Sequence, residues 1–196
     1  MQTWLTFIER YAARRYAVIA VLVLFGAVLP ALKAVDQPLT ALAGEGKLDT
    51  RGFYDAAIVA RLFAAYGPAG RLLYAGDLLI DSVFPLVLAA AASLCALSVV
   101  RSATLRKVFL VIPAIFLALD WLENLFFLAC LGLYPVVWPA LVQIAYLITS
   151  VKLAAIVITW AQLYLFGPLA AVTGVAGWLW RRPARPPKAG PPAVEG

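Results

Sequence analysis

Three stretches of otherwise apolar sequence carry side chains that can hold, give up or balance a charge. The first opens at Arg71 and continues through Tyr74, Asp77 and Asp81; the second holds Asp120, Glu123 and Asn124; the third contributes Lys152. Steps of three and four residues place Tyr74, Asp77 and Asp81 on one helical face, and the same spacing groups Asp120, Glu123 and Asn124. Ionisable groups inside hydrocarbon cost a few kcal/mol each on insertion scales, so they face a bundle interior or a wet cavity and mark candidate ligand or proton sites. Asp120 with Lys152 and Arg71 with Asp77 are the natural ion pairs. That assignment leaves Asp81 and Glu123 without cations, and a carboxyl that holds a proton and can release it serves acid catalysis or proton coupling.

Depth ties these residues together. Counting inward from the outer end of each apolar run at about 1.5 Å per residue, Asp81, Glu123 and Asn124 fall roughly 14 Å deep, with Asp120 and Lys152 several ångströms deeper. Asp77 and Arg71 sit higher, so the expected shape is a funnel descending from the outer face. Tyr74, Tyr146, Gln143 and Ser150 are candidate lining residues, although each alone reads as an ordinary core or interface polar group. Pro85 cannot bond to the carbonyl of Asp81, which would leave a free acceptor beside a carboxylate. The plainer reading of Pro85, and of Pro113, is a helix kink that membrane spans tolerate.

The elements that must position these groups follow from composition. Of 196 residues 64% are hydrophobic and 13% charged, against about half and a quarter in a soluble domain. Water is not the main solvent of such a chain. Histidine is absent, which removes the commonest metal ligand and makes haem, zinc and Ser-His-Asp chemistry poor fits. No cofactor or metal is expected. Cys95 and Cys130 lie in apolar runs without a redox spacing and read as small packing residues. The net charge of +6 gathers at the ends of apolar runs rather than on one polar face, which argues against nucleic acid as a partner and for membrane topology.

The expected architecture is all-α: a polytopic transmembrane bundle of about four spans, at about 16–33, 71–100, 108–133 and 138–166, in one domain covering 1–180. Residues 1–15 suit an interfacial helix. A signal peptide is the rival reading of the first run, but Lys33 fits its cleavage site poorly and the run is long. Residues 34–70 form the one sizeable polar connection and belong outside the bilayer core. Within it Tyr54, Ile58, Leu62, Ala65 and Tyr66 predict an external amphipathic helix after a Thr50 cap, ended by Gly67 and Pro68. Gly167 and Pro168 split the last apolar stretch, so 168–180 continues the fourth span or inserts partly, a fifth span being the alternative. The Pro-rich basic tail 181–196 is expected to be disordered.

Basic residues at 10–15, 101–107 and 181–188 fall on one side if the number of spans is even. The positive-inside rule makes that side cytoplasmic and leaves 34–70 external, as for a protein of the bacterial inner, or plasma, membrane. No internal repeat of the transporter kind is visible.

The strings in which Gly70 and Arg71 precede Tyr74, Asp81 precedes Pro85 by four, and Asp120 precedes Glu123 and Asn124 resemble those of uncharacterised four-span membrane proteins of bacteria. The resemblance covers the second and third spans and implies no activity. A comparable layout occurs in the four-helix sterol isomerase and sigma-2 receptor group, which also hold acids in a lipid-accessible pocket, but this chain lacks the histidine of the isomerase site.

Three functional readings follow. The first is an integral membrane protein that binds or transports a small amphipathic molecule or an ion at Asp81, Asp120 and Glu123. The second is a structural or assembly subunit, its polar layer specifying helix packing and its outer loop meeting a membrane protein partner. The third is a metal-independent membrane enzyme acting on a lipid or isoprenoid with Asp81 or Glu123 as general acid.

Overall fold

The computed structural model describes residues 15–179, and every regular element among them is helical. The expectations for 1–14 and for 180–196, including the interfacial helix and the basic tail, lie outside the described residues.

Helix α1 covers Arg15–Ala43, well past the polar boundary expected near residue 34. Pro30 and Pro38 lie within it. It stops at Gly44, whose φ of 69° is open to glycine without a Cβ clash and lets its N–H close on the Thr40 carbonyl at 2.8 Å. A 3-10 turn at Leu48–Thr50 follows. Helix α2, Ala56–Asp81, is capped by Asp55, whose carboxylate accepts from the Ile58 N–H at 2.8 Å. The cap is therefore Asp55 rather than Thr50, because Thr50 belongs to the preceding turn.

Gly67 breaks α2 with φ 62° and ψ −176°, a conformation essentially reserved for glycine. The first part of α2 buries Val59, Leu62, Phe63 and Tyr66 against the bundle, so the amphipathic stretch packs on protein. After Ser82, helix α3 runs Val83–Val99; α4 covers Ala103–Leu133 and α5 covers Pro139–Leu179. Helix α5 passes Gly167 and Pro168 without ending. At about 1.5 Å per residue it is about 60 Å long, about twice the hydrocarbon thickness.

Among the described residues three segments are long and apolar enough to cross a membrane: Ala56–Val99, Ala103–Leu133 and Pro139–Thr173. Within α1 the described apolar segment is the shorter Ile19–Val28. Large apolar side chains cover the outside of the bundle, among them Leu72, Leu79, Val111, Leu125, Val157 and Leu165. Such an exterior suits lipid and would be a liability in water.

Inside, two apolar clusters lie end to end. One packs Leu39, Leu48, Tyr54, Phe63, Tyr74, Phe127 and Val142 at the end where α1 turns into α2. The other packs Phe25, Leu88, Ala92, Phe116, Leu163 and Phe166 toward the opposite end. Asp120, Glu123 and Asn124 on α4, and Thr149 and Lys152 on α5, fall in sequence between the two clusters, whereas Asp77 of α2 lies within the first and Thr159 and Gln162 of α5 within the second.

Candidate functional site

Contacts of α4 with α5 and with the end of α2 bring several of these polar residues together. Lys152 of α5 lies 3.3 Å from Asp120 Oδ1 and also pairs with Glu123 Oε2, both on α4. All three side chains are buried. Thr149, one turn before Lys152, donates to Glu123 Oε1 and lies 2.7 Å from the Tyr54 hydroxyl. Asn124 Nδ2 reaches Asp120 Oδ2 at 3.4 Å, Ser82 Oγ at 3.2 Å and the Leu78 carbonyl at 3.3 Å, which ties α4 to the end of α2. Trp121 reinforces the same junction by donating to the Ser82 carbonyl at 3.0 Å.

Glu123 thus has the cation that the pairing by depth denied it. Lys152 sits one helical turn after Thr149 and faces two acids that are themselves three residues apart, so one ammonium serves both. Asp81 remains apart: it is partly buried, and no described residue is hydrogen-bonded or ion-paired to it.

The expected Arg71 and Asp77 pair does not form. Arg71 donates to the Phe63 carbonyl at 2.8 Å, beside the break at Gly67, and its guanidinium lies 4.3 Å over the Tyr134 ring. It therefore braces the kink and the end of α4 and stands outside the polar layer. Asp77 instead receives Lys47 Nζ at 2.7 Å, from the loop.

That contact changes the shape of the site. The 3-10 turn tucks into the bundle with Lys47, Leu48 and Asp49 buried, so this part of the polar connection plugs the mouth where an open funnel is expected. Lys47 Nζ also lies 2.7 Å from Asp36 and 3.8 Å from Asp49. Burial by itself would depress the ammonium, but Asp49, Asp36 and Asp77 outweigh it and hold Lys47 well above the usual lysine range. Arg51 locks the loop behind it, bonding the Gly46 carbonyl at 2.9 and 2.8 Å and Glu45 at 2.8 Å. The hydrogen bond from Arg51 is the main reason Glu45 is held below the ordinary glutamate range. Burial raises the Tyr54 phenol well above the usual tyrosine range, so it stays a neutral partner for Thr149.

Several buried polar atoms have no hydrogen-bond partner: Asp49 Oδ1, Asp77 Oδ1, Asn124 Oδ1 and the hydroxyls of Tyr66 and Tyr74. The Tyr66 and Tyr74 rings are 5.6 Å apart. Tyr74 is fully buried, as its place on the Asp77 face predicts. Of the other lining candidates, Tyr146 packs edge-on to Tyr54 with ring centres 5.6 Å apart. Gln143 and Ser150 are exposed and do not reach the layer. Cys95 and Cys130 are buried free thiols. Among the described residues no group of three or more His, Cys, Asp or Glu is arranged to hold a metal ion.

Lys47, Asp36, Asp49, Thr149 and Tyr54 belong to these networks without having been singled out by sequence. For Thr149 a signal exists. Thr149, Lys152, Thr159 and Gln162 recur at helical steps within an apolar run, and all four are buried. The loop residues carry no such period; a lysine between acids in a polar connection reads as solvated.

An all-α bundle with an apolar exterior, three segments among the described residues able to cross a membrane, and an internal polar layer is compatible with an integral membrane protein. No family model, curated protein or solved structure matches this chain.

Proposed function

We propose that this integral membrane protein binds, and passes through the bundle, a small amphipathic molecule or an ion at the polar layer. One observation carries the reading: five carboxyl groups, Asp36, Asp49, Asp77, Asp120 and Glu123, gather on two ammonium groups, Lys47 and Lys152, and a sixth, Asp81, is partly buried with no cation paired to it. In a low-dielectric interior such an excess has to be offset by protons, by hydrogen-bond donors or by a cationic guest. Asp81 is the group best placed to act, since the lysines already hold the others. The test is thermal unfolding of the purified protein against a panel of ions and amphipathic amines. Stabilisation that disappears in Asp81→Asn supports the proposal; a variant indistinguishable from the parent across the whole panel overturns it.

A second reading draws on the tight pairing of Lys152 with Asp120 and Glu123: the layer fixes helix register in a structural or assembly subunit, and its partner is another membrane protein. Lys152→Met would then lower abundance in the membrane while every binding readout of the surviving protein stays unchanged.

For placement we propose the bacterial inner membrane with both termini cytoplasmic, on the strength of the basic residues at 10–15, 101–107 and 181–188. A cysteine introduced at Gly52, an exposed position, should react with an impermeant thiol reagent from outside the cell. Reaction only after lysis would reverse the orientation.

A further inference from the structure

Lys47 reaches the interior from a loop, and its ammonium has three carboxylates around it, Asp36 and Asp77 each at 2.7 Å and Asp49 at 3.8 Å. One positive charge against three acids leaves the nest short of cations, and Asp77 Oδ1 and Asp49 Oδ1 stay buried without a hydrogen-bond donor. On the same buried face of α2 as Asp77 stand Tyr66 and Tyr74, 3% and 0% exposed, whose hydroxyls are equally unpartnered. Four polar atoms with unused bonding capacity beside one ammonium are too costly to be mere packing, because each buried polar atom left unpaired loses what water would have given it.

A groove adjoins the nest at Asp36. An open groove of about 600 Å³ along α1 is lined by Lys33, Asp36, Gln37, Thr40, Ala41 and Gly44. Asp36 belongs to both places: its side chain is 40% exposed, yet it contacts Lys47. A basic residue, Lys33, stands one helical turn before that acid, so the groove offers both signs of charge.

We propose that the Lys47 ammonium is a tethered stand-in for a ligand, and that the nest of Asp36, Asp49, Asp77, Tyr66 and Tyr74 takes the primary ammonium of a guest entering along α1. This rests on the function proposed above and names its substrate class. The guest is a compound with an unhindered R–NH3+ group, either a free small amine or the headgroup of an ethanolamine phospholipid whose phosphate lies against Lys33. Binding exchanges one ammonium for another, so Lys47 leaves and the turn at Leu48–Thr50 is released with it. No bond is made or broken in this step.

The full chain in phosphatidylcholine nanodiscs tests the exchange, with ethylammonium as probe and tetramethylammonium, which has no N–H to donate, as control at equal ionic strength. Ethylammonium should raise amide hydrogen exchange at 47–51, and the control should not. Lys47→Met, which removes the competitor, should bind ethylammonium at least tenfold more tightly, read by thermal unfolding. Asp36→Asn, altered where the groove meets the nest, should raise the half-saturating concentration about tenfold and keeps the test open if Lys47→Met does not fold. Discs containing phosphatidylethanolamine separate the two sources: release of 47–51 without any added amine identifies the lipid, and release only with ethylammonium identifies a soluble guest. Unchanged protection of 47–51 in both kinds of disc overturns the inference. If a probe binds in an Asp81-dependent way while the turn stays protected, this inference fails and the proposed function stands; if nothing binds, both fail.

Discussion

Gln162 donates through Nε2 to the carbonyl of Phe109 at 2.9 Å, on the neighbouring helix. Pro113 explains why that carbonyl is available: a proline has no N–H to give to the residue four before it, and here that residue is Phe109. The same amide nitrogen reaches the Ala92 carbonyl at 3.0 Å, so one side chain of α5 clasps α3 and α4 together. The proline in α4 and the clasp are two halves of one feature.

Gln162→Leu should therefore destabilise the bundle by about 1–3 kcal/mol, the cost of leaving a buried acceptor unsatisfied. In a Pro113→Ala background, where an N–H is restored to the helix, the same substitution should cost measurably less. A double-mutant cycle by thermal unfolding in detergent checks this, and equal costs in both backgrounds would disconnect the proline from the glutamine.

Lys152 is the cation of the deeper network. Lys152→Met should cost about 3–5 kcal/mol by stranding Asp120 and Glu123. Neutralising both acids as well, with Asp120→Asn and Glu123→Gln, should recover much of that loss. Unfolding midpoints of the single and triple variants decide it; a triple variant no better than the single one would mean that Lys152 acts through packing.

Gly67→Ala should cost about 1–3 kcal/mol, since a Cβ is strained at φ 62° and ψ −176° whatever space surrounds it. Gly76 has nothing within 4 Å of a built Cβ and lies in regular helix, so Gly76→Ala should be neutral or gain up to about 1 kcal/mol. Comparing the two variants separates backbone strain from side-chain crowding.

The loop should loosen in acid. Glu45 is held below the ordinary glutamate range by Arg51, so its folded pKa lies under its unfolded one. A depressed carboxylate contributes stability above its unfolded pKa and loses it as the pH falls through the folded value. The difference in unfolding midpoint between the parent and Glu45→Gln should thus be constant above about pH 5 and shrink toward zero below it. The difference is expected to be small, because the side chain is 31% exposed and solvent screens it. A difference that grows in acid would reverse the assignment.

Period and composition, by themselves, determined that this chain is helical and apolar outside, and which polar residues share a helical face: Tyr74, Asp77 and Asp81 on one, Asp120, Glu123 and Asn124 on another. Helix geometry is local, so three- and four-residue spacing carries straight into a shared face. Tertiary structure alone decided who pairs with whom. Lys47 lies 30 residues from Asp77 in the chain and Glu123 lies 29 from Lys152, and no local rule ranks such partners. Arg71 shows the converse: the break at Gly67 and the nearby Tyr134 ring drew its guanidinium away from the acid six residues on. The plug was equally illegible, because a polar loop reads as solvated until buried carboxylates give its lysine somewhere better to go than water.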